Sequence, residues 1–202
     1  VSSARPVACG KSHSDEREAA CVAGNARVVL YSTGVLRSAL REASAAFSAR
    51  TGIDVEKTYG NTGKLRERIL SGERADVFGA GDVDNPQMLH DADAFGPVDV
   101  IAHAPLALLV KTSLAPQRSV ADIMLDPDVR LVTGVLAPPK IDPAGDYAEI
   151  VFALLDRQRP GSYARLHAKA LQLAGGGLPV PPDADLPTYL LLTADLGDAF
   201  LA

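Results

Sequence analysis

The chain has 202 residues, enough to bury a core as one domain or two small lobes. Apolar residues make up 47% and charged residues 22%, the composition of an ordinary globular protein, and no run approaches the roughly eighteen apolar residues of a membrane helix. A net charge of −5, with no basic stripe beyond the Lys64/Arg66/Arg68 helix face, argues against a nucleic-acid surface, and that face reads as solvated charge.

Residues 1–26 form a polar, small-residue N-terminal extension without a long apolar period. Cys9 and Cys21 both lie here, at a spacing that permits a disulfide in an exported protein. His13 between them is too irregularly spaced to indicate a metal site, and none is expected.

From residue 27 the pattern alternates. "RVVLYS" (27–32) reads as a strand, and "VLRSALREASAAFSAR" (35–50) as a helix with Leu36, Leu40, Ala43 and Phe47 on one face. "IDVEKTY" (53–59) is a strand, "GKLRERILSG" (63–72) a helix stopped at Gly72, and "ADVFGA" (75–80) a strand. Strand, helix, strand, helix, strand predicts a parallel α/β sheet. "PVDVIAHAPLALLVK" (97–111) is read as extended apolar chain carrying the fold from a first lobe (27–100) to a second (101–202). "SVADIMLDP" (119–127) predicts a short helix capped by Ser119 with Asp122 at the capping-box position, and "VRLVTG" (129–134) a strand. A proline-rich turn then feeds a helix from about Gly145, "GSYARLHAKALQLAGGG" (161–177) a further helix, "TYLLLTAD" another, and "DAFLA" a strand.

Three strand-to-helix turns carry the candidate chemistry: Ser32-Thr33-Gly34-Val35, Gly60-Asn61-Thr62-Gly63 and Asp142-Pro143-Ala144-Gly145-Asp146. Open amides at a helix start, with the positive end of the helix dipole, favour an anion. Hydroxyls of Ser32, Thr33 or Thr62 add donors, and no lysine or arginine is required. The plainer alternative is that such residues are caps and nothing more. Asp76 and Asp82 read as structural groups at a strand start and a turn, His90, His103 and His167 as scattered, and Tyr31, Tyr59 and Tyr147 as neighbours of the turns. No G-x-S-x-G elbow surrounds Ser32, the glycine run 175–177 lacks a P-loop lysine, and no coherent acid, base and nucleophile set emerges, so no enzyme is expected.

"LYSTGVLRSALREASAAFSARTGIDVEKTYGNTGKLRERILSGERADVFGAGD", "DPAGDYA" and "ALQLAGGG", in that order, resemble the periplasmic molybdate/tungstate-binding protein family, the solute-binding component of an ABC importer, over about residues 27–202. The resemblance implies a two-lobed periplasmic-binding-protein-like fold, each lobe a mostly parallel sheet flanked by helices, closing over a tetrahedral oxyanion without a cofactor. It also implies a periplasmic or extracellular monomer that hands its oxyanion, molybdate or tungstate, to a membrane permease. "PVAC" faintly resembles a lipoprotein cleavage box, which would allow a membrane anchor.

Carried over residue by residue, the family's first-turn serine falls on Val35, which offers only an amide beside Ser32, Thr33 and Gly34. Its second-turn serine falls on Thr62, between Asn61 and Gly63. Its second-lobe backbone donor falls on Ala144, with Asp146 and Tyr147 beside it, and a last backbone donor near Leu186. The family's tyrosine contact is expected just after "DAFLA", and its closing return to the first lobe is expected to be missing from this sequence. Val35 in place of serine leaves open the same fold binding another small anion, and the cysteine-bearing N-terminal extension together with the expected missing return leaves open an interaction or sensor module with a vestigial cleft.

Overall fold

A computed structural model describes residues 26–201 apart from 115–117, 176–177, 179 and 182–183. Cys9, Cys21, His13 and most of the predicted N-terminal extension lie outside the described residues.

The first sheet has strand order β2-β1-β3, with β1 (Arg27–Ser32) paired in parallel to β2 (Asp54–Tyr59) and β3 (Val77–Gly79). A 3-10 turn (Gly34–Leu36) leads into α1 (Arg37–Thr51), which ends at Gly52 in the left-handed conformation (φ 71°) that a helix stop requires. Asn61 caps α2 (Thr62–Leu70), its side chain accepting from the Lys64 amide, while Leu65 and Ile69, one turn apart, bury their face against Val29, Tyr31 and Leu89. Leu89 belongs to α3 (Asp84–Asp91), a helix the sequence reading did not place. Its start is set by Asp82, whose carboxylate accepts from the Asn85 amide at 2.7 Å, with Pro86 inside the first turn.

The second sheet, ordered β4-β7-β5-β6, is mixed. β5 (Leu131–Thr133) runs parallel to β6 (Leu171–Gln172) and β7 (Ala199–Leu201), and β4 (Leu108–Val110) runs antiparallel to β7. α4 (Val120–Leu125) starts at Ser119, whose hydroxyl accepts from the Asp122 amide. α5 (Pro143–Gln158) starts at Asp142 with Pro143 in the first turn, and lays Ala148, Phe152 and Leu155 into a core with Leu131, Leu166 and Ala199. α6 spans Ser162–Lys169 and α7 Leu186–Thr188, followed by a π-helical turn over Tyr189–Thr193. Among the described residues, no helix is long and apolar enough to cross a membrane.

Two expectations change. The helix predicted over 161–177 ends at Lys169, because Leu171–Gln172 pair with β5 and the Ala174 amide donates to the Thr133 carbonyl. Sheet pairing outweighs a weak helical pattern here. The apolar run 97–111 is a strand only at Leu108–Val110; Val100 and Ile101 lie exposed without regular structure.

Candidate functional site

Register places the turns. Ser32 is paired with both Tyr59 and Gly79, so the last residues of β1, β2 and β3 form one row. The segments that follow, 33–35, 60–63 and 80–82, therefore leave the sheet at a single edge. In the second sheet Thr133 is paired with Gln172, which puts the loops starting at Gly134 and Leu173 at one edge as well.

The two edges meet. The Gly63 amide donates to the Ile141 carbonyl at 2.9 Å. A Cβ on Gly63 would sit 2.5 Å from Ile141 Cα and from the Lys140 oxygen, so only glycine permits this approach. A Cβ on Gly81 would lie 3.6 Å from Val35 Cγ1, 3.7 Å from Thr33 Cγ2 and 3.8 Å from Pro143 Cβ, which brings the first turn beside the start of α5. Asn61 Nδ2 reaches the Gly175 carbonyl at 3.5 Å, a distance too long for strong bonding. The Lys140 ammonium bridges to Asp84 at 2.6 Å.

The donors at this meeting point are mostly committed to protein acceptors. Ser32 is fully buried and its hydroxyl donates to the Gly79 carbonyl at 3.0 Å; the Thr33 amide donates to the same oxygen at 3.2 Å. Gly34 and Val35 lie in the 3-10 turn, with Val35 74% exposed. The Ala144 amide donates to the cap carboxylate of Asp142 at 3.2 Å, and the other oxygen of that carboxylate accepts from the Val135 amide at 2.8 Å. The Asp146 carboxylate accepts from the Lys140 amide at 2.9 and 3.1 Å. Thr62 differs. It is fully buried at the first position of α2, and its Oγ1 has no hydrogen-bond partner among the described residues. An orphaned buried hydroxyl is costly, and native structures retain one where something else supplies the partner.

Tyr147 stands half exposed on α5, its hydroxyl pushed up by burial and by Asp82, Asp84 and Asp146. Leu186 opens α7 and packs with the cluster around Leu190 and Phe200, away from the Gly63–Ile141 contact. Tyr31 and Tyr59 turn their hydroxyls to Glu73 and to the Arg37 carbonyl.

Electrostatics at the rim are mixed. Burial raises the Asp142 carboxyl above the ordinary range, against the bonds from Val135 and Ala144, and burial likewise raises Asp146. The hydrogen bond to Asp84 holds Lys140 up. Lys140 has φ 64°, a left-handed conformation unusual for a side-chain-bearing residue.

Sequence reasoning missed Arg66 and Lys140. The Lys64/Arg66/Arg68 face is solvated at Lys64 and Arg68, whereas Arg66 is only 8% exposed. The available signal was its position four residues after Thr62, which puts both on one helix face. Two cavities lie elsewhere: an apolar hollow of about 240 Å³ between α4 and α5, and one of about 140 Å³ beside Leu109, Pro187 and Leu191. Among the described residues, no group of three or more His, Cys, Asp or Glu side chains could hold a metal.

The family model described as bacterial extracellular solute-binding protein matches residues 28–202. The chain belongs to this family. The family is one of solute binders rather than enzymes. Among solved structures, this solute-binding chain is similar to the periplasmic molybdate-binding protein of Azotobacter vinelandii, with TM-score 0.64 at 18% identity over 87% of this chain and 70% of that one. It is also similar to the sulfate-binding protein SubI of Mycobacterium tuberculosis, with TM-score 0.61 at 14% identity over 88% and 64%. PEB3 with bound L-phospholactate gives TM-score 0.57 at 17% identity over 87% and 72%. At these low identities the structural likeness shows a common fold and nothing more. An uncharacterized protein of Pasteurella multocida is 29% identical over 138 residues, 67% of this chain and 54% of the relative, so the chain spans about half the length of that curated relative.

Proposed function

We propose that this chain is the ligand-capturing part of an extracytoplasmic solute-binding protein that takes a small tetrahedral oxyanion, molybdate or tungstate, and delivers it as a monomer to an ABC permease in the membrane. The observation that carries the reading is the buried Thr62 hydroxyl at the start of α2, without a partner among the described residues, where the turns of two sheets converge. Helix starts supply neutral donors to an anion. An oxyanion seated there would pair the Thr62 hydroxyl and take the place of the Ile141 carbonyl at the Gly63 amide. Segment 140–142 would then close over the ligand instead of lying directly on α2. The family match and the molybdate-binding and sulfate-binding titles of similar folds support a small anion.

A second reading, the same cleft holding another small anion, is favoured by one observation. Val35 carries no hydroxyl, and the Ser32 hydroxyl is committed to Gly79, so neither side chain offers a ligand the donor expected of a serine in the first turn. Titration calorimetry of the full-length protein with molybdate, tungstate, sulfate, phosphate and L-phospholactate separates the two. Tightest binding of molybdate or tungstate supports the first reading; tightest binding of another anion selects the second, and no binding by any removes both.

A further inference from the structure

Arg66 is a buried cation with little to neutralise it. Among the described residues, its one carboxylate partner within bridging distance is Glu67, at 3.6 Å and itself 58% exposed. Its Nη1 donates to Asn85 Oδ1 at 2.7 Å on the first-sheet side and to the Lys140 carbonyl at 3.3 Å on the second-sheet side. Its Nε is buried without a partner among the described residues. Thr62, Gly63 and Arg66 lie on one face of α2, at spacings of three and four. Gly63 and Arg66 bond to the consecutive residues Ile141 and Lys140, so that face is the one turned to the second sheet.

Among the described residues, the two buried side-chain atoms without a partner, Thr62 Oγ1 and Arg66 Nε, thus come from residues one turn apart on this face. The nearby carboxylates are engaged elsewhere: Asp82 by Asn85, Asp84 by the Lys140 ammonium, Asp142 by the Val135 and Ala144 amides, and Asp146 by the Lys140 amide. Burying a guanidinium without a paired carboxylate is expensive. A guest anion next to Thr62 would offset that cost.

Resting on the proposed function, we propose that Arg66 is the residue that makes the cleft prefer dianions, its buried charge facing the anion from behind Thr62 while its bond to the Lys140 carbonyl holds the two sheets together. It acts on ligand valence and on the contact between the two sheets in the ligand-free protein; it need not touch the ligand.

The test compares tungstate, a tetrahedral dianion, with perrhenate, a tetrahedral monoanion of similar size, on full-length wild type, Arg66→Gln and Arg66→Lys. Tungstate is titrated directly and perrhenate by displacement. Arg66→Gln is expected to lose about tenfold more affinity for tungstate than for perrhenate, because charge and not shape has been removed. Arg66→Lys is expected to keep the tungstate-to-perrhenate ratio. Equal losses for both anions in Arg66→Gln, or Arg66→Lys losing the preference as fully, overturn the proposal. Small-angle scattering of the ligand-free proteins reads the bridge separately: Arg66→Gln should show a larger radius of gyration, and an unchanged radius overturns that half whether or not an anion binds. Should Arg66→Gln fail to fold, Arg66→Met, which keeps an apolar stem and removes both the charge and the donors to Asn85 and Lys140, serves for both readings. Wild type that binds no anion sinks the proposed function and the charge preference with it, while the scattering comparison still judges the bridge.

Discussion

The amide of Gly63 and the carbonyl of Ile141 are hydrogen-bonded at 2.9 Å, joining the first turn of α2 to the loop that ends in the cap of α5. The two residues are far apart in sequence and lie beside different sheets. Their contact is possible because residue 63 has no Cβ. Gly63→Ala should therefore push segment 140–142 off α2, costing about 1–3 kcal/mol in urea unfolding and enlarging the ligand-free particle in scattering. An alanine variant with unchanged stability and size would show that the approach is loose.

Thr62→Val should act in opposite directions on stability and on binding. Valine keeps the shape while removing a buried hydroxyl that lacks a partner, so the ligand-free protein should gain about 1 kcal/mol in denaturant unfolding. Oxyanion binding, which needs that donor, should weaken by about tenfold or more in calorimetry. A variant that is less stable and binds normally would mean the hydroxyl has a purely structural partner.

Lys140 is held at three groups: its amide by Asp146, its carbonyl by Arg66 and its ammonium by Asp84. Its left-handed backbone costs about 1 kcal/mol or more in any residue with a Cβ. Lys140→Ala and Lys140→Gly both remove the half-exposed ion pair, which contributes little. Glycine relieves the strain as well, so Lys140→Gly should be more stable than Lys140→Ala by about 1 kcal/mol in thermal or chemical melts. Equal stability would show that the conformation changes when the side chain is removed.

At the far end of α2 the Arg68 guanidinium and the Tyr31 hydroxyl both bond to Glu73, holding its carboxyl down at about 2 from 4.5. Because the folded value is depressed, the stabilisation is fully present above the unfolded value and is lost as pH falls from about 4.5 towards 2. Glu73→Gln should flatten that acid limb of the unfolding curve and leave its slope near neutral pH unchanged. An unaltered acid limb would assign the loss to other carboxylates.

Much of the first sheet is legible in the sequence because each element there carries its own local signal. Val28 to Leu30 form an apolar strand run, Leu65 and Ile69 share a helical face, and Gly52 and Gly72 take the left-handed backbone of helix ends. The caps at Ser119 and Asp142 follow from side-chain chemistry in the same way. What stays hidden depends on distant partners. β6 exists because Leu171 pairs with Val132, which no local pattern reveals, and α3 starts from a carboxylate readable equally as a turn. In the candidate site, the turns are visible as sequence, but the burial of Arg66 and the clasping of Lys140 follow only from how the two sheets meet.

The most direct measurement is anomalous diffraction from crystals of the full-length protein grown with tungstate. A single strong tungsten peak within hydrogen-bonding distance of Thr62 Oγ1 and the Gly63 amide, with Ile141 displaced from that amide, is the predicted result. A cleft in which Gly63 still bonds to Ile141, with no peak between the two sheets at saturating tungstate, would contradict it.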